Sequence, residues 1–205
     1  MLFRSFGGGS GPVSTMDKVD YTSDTRTAVP GAALSAARYG LAASSARGNS
    51  LPIPATATVT RFSDGTEVPN TGYFGGGGPA PNLYSTMDKV TYATDTTAAV
   101  PGAALSIARR YLAATGSSSA GYFGGGQTYS TMDKVTYSTD TTAAVPGAAL
   151  SIARAFLAAT GSSTSGYFGG GGSAPFYSTM DKVDYTSDTR STVPGAALKI
   201  GRAHV

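Results

Sequence analysis

The sequence predicts an all-β repeat protein, and three observations carry that expectation. Ser-Thr-Met-Asp-Lys-Val begins at Ser14, Ser85, Ser130 and Ser178, with separations of 71, 45 and 48 residues. A second marker, Gly-Tyr-Phe-Gly-Gly-Gly, recurs out of phase at Gly72, Gly121 and Gly166, with a degraded first copy from Arg4 to Gly9. Residues 84–126 and 129–171 differ only at Ala93/Ser138, Arg110/Ala155, Tyr111/Phe156, Ser119/Thr164 and Ala120/Ser165. Four units of about 45 residues fall in the range of solenoids and propellers, where each unit buries its apolar face against a neighbour.

Within a unit, turn residues separate four strand-like pieces. In the third unit, alternation from Ser130 to Tyr137 sets Met132, Lys134 and Thr136 on one face and Thr131, Asp133, Val135 and Tyr137 on the other. The short polar side chains of Ser138 to Thr141 favour a turn. A brief strand from Thr142 to Val145 follows and stops at Pro146-Gly147. The stretch from Ala148 to Gly161 is ambiguous. Its alanines and closing glycine suit a helix of about three turns, whereas the alternation of Ile152, Arg154, Phe156 and Ala158 with the small or apolar Ala153, Ala155, Leu157 and Ala159 suits a strand buried on both faces. Periodicity leaves both open, and a β/α solenoid with residues 148–160 helical is the alternative fold. The units lie near 3–43, 72–115, 121–160 and 166–205 of a single domain spanning 1–205. An insertion at 44–71 reads as a long loop or small hairpin, with Pro52, Pro54, Pro69 and the turn Asp64-Gly65.

With these pieces in order, the unit resembles a kelch-type β-propeller blade. The residues that carry the likeness are Ala108-Arg109 with Leu112-Ala113-Ala114, the triple Gly124-Gly125-Gly126, Val135-Thr136-Tyr137, and Thr141 to Val145. The resemblance implies a propeller of four kelch-like blades in which the Ala-Arg segment is the innermost strand. It departs from the family in lacking the outer-strand Trp, Ala143 or Ala144 standing in its region. The unit is also similar to Tyr-Phe-Gly-Gly-Gly repeat proteins of marine phages, viruses and environmental sequences, a likeness that implies a virion-associated or extracellular surface protein. A glycine-triple strand from Leu2 to Gly9 and an Ala-Arg strand from Ile200 to Val205 each supply what the other lacks. Their pairing is expected to close the ring and leave no free edge.

Composition narrows the function classes. Charged residues make up 13% of the 205, the net charge is +3, and no run of Lys or Arg is present, so a nucleic-acid partner is not expected. There is no Cys and one His, His204, which removes disulfides, thiolate chemistry and histidine clusters. No apolar stretch approaches 18 residues, so membrane insertion is not expected. No cofactor is expected. Glu67 is the only Glu and no Gly-x-Ser-x-Gly elbow occurs, so the expectation is a protein without enzymatic activity.

Repeated positions supply the candidate residues. The glycine triples, represented by Gly76, Gly125 and Gly170, lack the Lys-Ser/Thr of a phosphate loop and read as places where backbones approach closely. Arg38, Arg109, Arg154 and Arg202 are equivalent. They form either a ring that grips an anion or structural pairs with backbone carbonyls and with Asp17, Asp88, Asp133 or Asp181. Asp24, Asp95, Asp140 and Asp188 read as turn caps rather than calcium ligands. In the insertion, Arg47, Arg61, Phe62, Asp64 and Glu67 concentrate charge on a loop and are candidate binding residues. The first functional reading is a structural, protein-interaction module docking on a larger assembly. The second is a glycan-binding propeller using Tyr73, Tyr122 and Tyr167 as stacking platforms, and it requires those rings to be exposed at blade rims.

Overall fold

The computed structural model describes residues 3–7, 13–20, 25–45, 71–172 and 175–198. Among the described residues, fifteen strands form four antiparallel sheets, each a meander of chain neighbours. Sheet 1 comprises β1 (Phe3–Gly7), β2 (Met16–Asp20) and β3 (Thr25–Ala28). Sheet 2 comprises β4 (Ala42–Ser45), β5 (Thr71–Gly75), β6 (Met87–Thr91) and β7 (Thr96–Ala99). Sheet 3 runs β8 (Ala113–Gly116), β9 (Ala120–Gly124), β10 (Met132–Thr136) and β11 (Thr141–Ala144). Sheet 4 repeats the pattern with β12 (Ala158–Gly161), β13 (Ser165–Gly169), β14 (Met180–Asp184) and β15 (Thr189–Thr192). The protein is therefore all-β, with blade-like sheets.

Among the described residues there is no α-helix, which removes the β/α solenoid. The helical content is four single 3-10 turns at Pro30–Ala32, Pro101–Ala103, Pro146–Ala148 and Pro194–Ala196. In each, proline fixes the first φ, and the alanine N–H closes back on the preceding valine carbonyl, as from Ala148 to Val145 at 3.0 Å. Among the described residues, no helix is long and apolar enough to cross a membrane.

The Ala-Arg segment corrects one expectation. It supplies the inner strand only through its last four residues: Ala113–Gly116 or Ala158–Gly161 are extended and paired, and these first strands of successive sheets lie against one another. The preceding residues are irregular because Leu150 N–H bonds across to the Ser130 carbonyl at 2.8 Å and Phe156 adopts φ 57°, which neither a helix nor a strand permits. Three of the sequence units thus end in the first strand of the following sheet, and that strand passes the chain from unit to unit.

The period of two gives every sheet two working faces. The register sets Tyr73 opposite Lys89, Tyr122 opposite Lys134 and Tyr167 opposite Lys182. It also sets Phe74, Phe123 and Phe168 opposite Asp88, Asp133 and Asp181. The Tyr-Lys face, with a methionine, looks forward to the next sheet, and the Phe-Asp face, with Val and Tyr, looks back to the previous one. One core thus joins Tyr73 and Met87 of sheet 2 to Phe123, Val135 and Tyr137 of sheet 3. A second joins Tyr122 and Met132 to Phe168, Val183 and Tyr185 of sheet 4. A third joins Met16 of sheet 1 to Phe74 and Val90 of sheet 2. β1 is the strand expected near the N-terminus. Its expected closing partner, Ile200 to Val205, lies outside the described residues, as does most of the insertion.

Candidate functional site

The repeated arginines sit in fully buried ion pairs. Arg38 meets Asp88 at 2.7 Å, Arg109 meets Asp133 at 2.8 Å and Arg154 meets Asp181 at 3.0 Å, with no solvent exposure of either partner's side chain. Each guanidinium also donates to backbone carbonyls around the end of the glycine strand and the start of the next: Arg38 to Gly76 and Thr86, Arg109 to Phe123 and Gly125, Arg154 to Phe168. Burial pushes the Arg38 guanidinium below its ordinary pKa, against the pull of Asp88. These arginines lock the irregular segment onto the sheet that follows it and present no free charge to an anion. Arg202 lies outside the described residues.

The glycine triples lie where that locking occurs. Gly76 and Gly125 take φ of 72° and 69°, and a Cβ there would come within 2.6 Å of the Arg109 carbonyl and 2.9 Å of the Arg154 carbonyl. The neighbouring N–H groups of Gly77 and Gly126 donate to those same two carbonyls at 2.9 Å. Gly170 has the same left-handed backbone, with Leu198 as its nearest neighbour.

Between sheets a second device recurs. Lys18 reaches Asp95 at 2.5 Å, Lys89 reaches Asp140 at 2.8 Å and Lys134 reaches Asp188 at 2.7 Å, each lysine crossing to the turn of the next sheet. The Tyr73 and Tyr122 hydroxyls donate to Asp140 and Asp188, and their rings stack on Tyr137 and Tyr185 at 5.0 and 4.7 Å. Burial, then the aspartate hydrogen bond, raises both phenols well above the ordinary tyrosine range; burial does the same to Tyr137, against a hydrogen bond with Ser44. These aspartates therefore do more than cap a turn. Asp95, Asp140 and Asp188 hold φ of 52 to 54°, a left-handed geometry aspartate tolerates, and they receive the previous sheet. The sequence showed the recurring residues but gave no sign that Lys, Tyr and Asp of successive units converge.

This geometry corrects the sugar-platform assignment. Tyr73 and Tyr122 have no exposed surface and are sealed between sheets, so neither ring can stack on a ligand. Tyr167 alone is half-buried, with Lys182 5.9 Å from its ring centre. The insertion candidates Arg47, Arg61, Phe62, Asp64 and Glu67 lie outside the described residues.

The forward face of sheet 4 is the candidate interaction surface. It carries the donor half of the intersheet device in Tyr167 and Lys182, and no described carboxylate lies within ion-pair distance of Lys182. Met180 is half-buried where Met16, Met87 and Met132 are sealed, and Ala196 is exposed where Ala32, Ala103 and Ala148 are buried. Leu198 is 44% exposed, against 4% for each of Leu34, Leu105 and Leu150. Phe176, also on sheet 4's side, is exposed as well. Among known proteins, no family model and no curated protein matches the chain.

Proposed function

We propose that this protein is a non-enzymatic structural and interaction module built of kelch-like propeller blades, and that it docks on a larger assembly through the forward face of sheet 4. The observation that carries the reading is the contrast between three satisfied copies of one interface and a fourth whose donor half stands open. The matching half is a backward face of the same repeat type: a Phe-Asp-Val-Tyr surface followed by an aspartate turn. The first repeat carries that pattern in sequence as Phe6, Asp17, Val19, Tyr21 and Asp24. The partner is accordingly a blade of this kind on a neighbouring chain, a head-to-tail contact. The resemblance to phage and virus repeat proteins makes a virus particle or a surface complex the setting.

The buried Arg-Asp pairs and the Lys-Tyr-Asp bridges support a structural role, because they commit the repeated charged groups to holding sheets together. The test is the native mass of the material at its source, beside the 20.5 kDa of the chain. The expected result is a particle far heavier than one chain that the double variant Lys182→Asp, Leu198→Asp releases as folded monomers. A compact free monomer at the source overturns docking and favours closure of a four-bladed ring by the chain's own first repeat.

A further inference from the structure

Two adjacent differences between the nearly identical repeats, Arg110/Ala155 and Tyr111/Phe156, come together in space. Gly40, Tyr111 and Phe156 are equivalent positions, and their backbones join in a ladder. Tyr111 N–H donates to the Gly40 carbonyl at 2.6 Å, and Phe156 N–H donates to the Tyr111 carbonyl at 3.0 Å. All three are left-handed, with φ of 62°, 63° and 57°. Glycine takes this conformation freely, whereas a bulky aromatic residue there is strained by about 1–2 kcal/mol. Two repeats thus keep a strained aromatic where the first uses glycine. Strain retained in this way directs attention to the side chain it presents.

Those side chains form an exposed shelf. Phe156 is 57% exposed, and its ring stacks on Tyr111 at 4.1 Å, which lies 6.1 Å from Tyr39. Arg110 sits over Tyr111 at 4.7 Å and over Tyr39 at 5.5 Å, and donates to the Tyr39 hydroxyl at 2.6 Å. Unlike Arg38, Arg109 and Arg154, it has no carboxylate within ion-pair distance among the described residues, and its Nε is buried without an acceptor. The shelf therefore combines an open aromatic face with a guanidinium that stacking orients and no described acid neutralises.

We propose that Tyr39, Arg110, Tyr111 and Phe156 bind an acidic glycan, a chain of carboxylate-bearing sugars. A pyranose ring lays its C–H face on the open ring of Phe156, and a carboxylate of the chain takes the fork of Arg110. Arginine suits a planar carboxylate because its N–H groups match it in pairs, and such charge-assisted bonds are about twice as strong as neutral ones. This site is distinct from the buried Tyr73 and Tyr122 and from the forward face of sheet 4. It rests on the reading of the chain as a binding module and does not require the head-to-tail contact.

The experiment is calorimetric titration of the full chain with oligogalacturonate and with a neutral oligosaccharide of equal length. Saturable binding of the uronate is expected, with the neutral chain weaker by about tenfold or more. Arg110→Ala installs the residue that the other repeat carries as Ala155, so the fold is expected to persist, with an unchanged unfolding midpoint, while uronate affinity falls about tenfold or more. Phe156→Ala lowers affinity for both sugars, and Phe156→Tyr restores it. No uronate binding at millimolar concentration, equal affinity for the neutral chain, or full affinity in folded Arg110→Ala overturns the proposal. Failure of the docking reading appears separately, as a free monomer at the source.

Discussion

The forward faces of sheets 3 and 4 carry almost the same residues in different surroundings. On sheet 3, Tyr122, Met132, Ala148 and Leu150 are sealed and Lys134 reaches Asp188. On sheet 4, Tyr167 and Met180 are half-buried, Ala196 and Leu198 are exposed and Lys182 has no described carboxylate within reach. The difference separates what a side chain is from what it does. Tyrosine opposite lysine on paired strands is a latch when a turn with aspartate arrives across the gap, and an uncovered face among the described residues when none does.

The largest effect expected lies inside a sheet, where the two cases should agree. Asp133→Ala and Asp181→Ala each leave a buried arginine uncompensated, and each is expected to cost about 3–5 kcal/mol in chemical denaturation. A markedly smaller cost at Asp181 would mean that sheet 4 is loosely held, so that its open face reflects a weak sheet rather than a missing neighbour.

Across the forward faces the two cases should diverge. Leu150→Ala empties a packed site and is expected to cost about 2–4 kcal/mol, whereas Leu198→Ala in the dissociated monomer should cost less than about 1 kcal/mol. Equal costs would show that the first repeat of the same chain covers the fourth face in solution. Tyr122→Phe removes the hydroxyl bonded to Asp188 and is expected to cost about 1–2 kcal/mol, with Tyr167→Phe within about 0.5 kcal/mol of wild type.

Alkaline titration sharpens the same comparison. The Tyr73, Tyr122 and Tyr137 phenols are held neutral in the fold, with pKa values raised above the unfolded value near 10. Their contribution to stability is complete below that pH and is lost as pH rises towards their folded values, because the unfolded chain releases protons that the folded chain retains. The unfolding midpoint should therefore fall steeply above about pH 10, and phenolate absorbance should rise together with loss of structure. Tyr122→Phe should flatten that fall, and Tyr167→Phe should leave it nearly unchanged. The smallest effect is expected at the half-exposed lysine bridge, where Lys134→Met should cost at most about 1 kcal/mol.

Much of the fold was legible because it is local. The alternation around Met132 to Tyr137 and the stops at Pro146-Gly147 concern neighbours in the chain, and β10, β11 and the 3-10 turn lie where those signals put them. The stretch after Ala148 misled because its composition is compatible with both helix and strand. A long-range hydrogen bond from Leu150 to Ser130 and a left-handed Phe156 decided it. The site was less legible still. Tyr73 and Asp140 are 67 positions apart, and nothing local distinguishes a sealed Tyr73 from a half-buried Tyr167.

The amino-acid order alone determined that the protein is built of copied β-units, where its strands and turns fall, and which arginines, glycines and aspartates recur, because strand period and turn geometry depend on adjacent residues. The tertiary structure decided, among the described residues, which tyrosines are buried, which guanidinium meets no carboxylate, and which sheet face is uncovered. Those properties depend on what the neighbouring sheet brings across the gap, and near-identical units meet different neighbours.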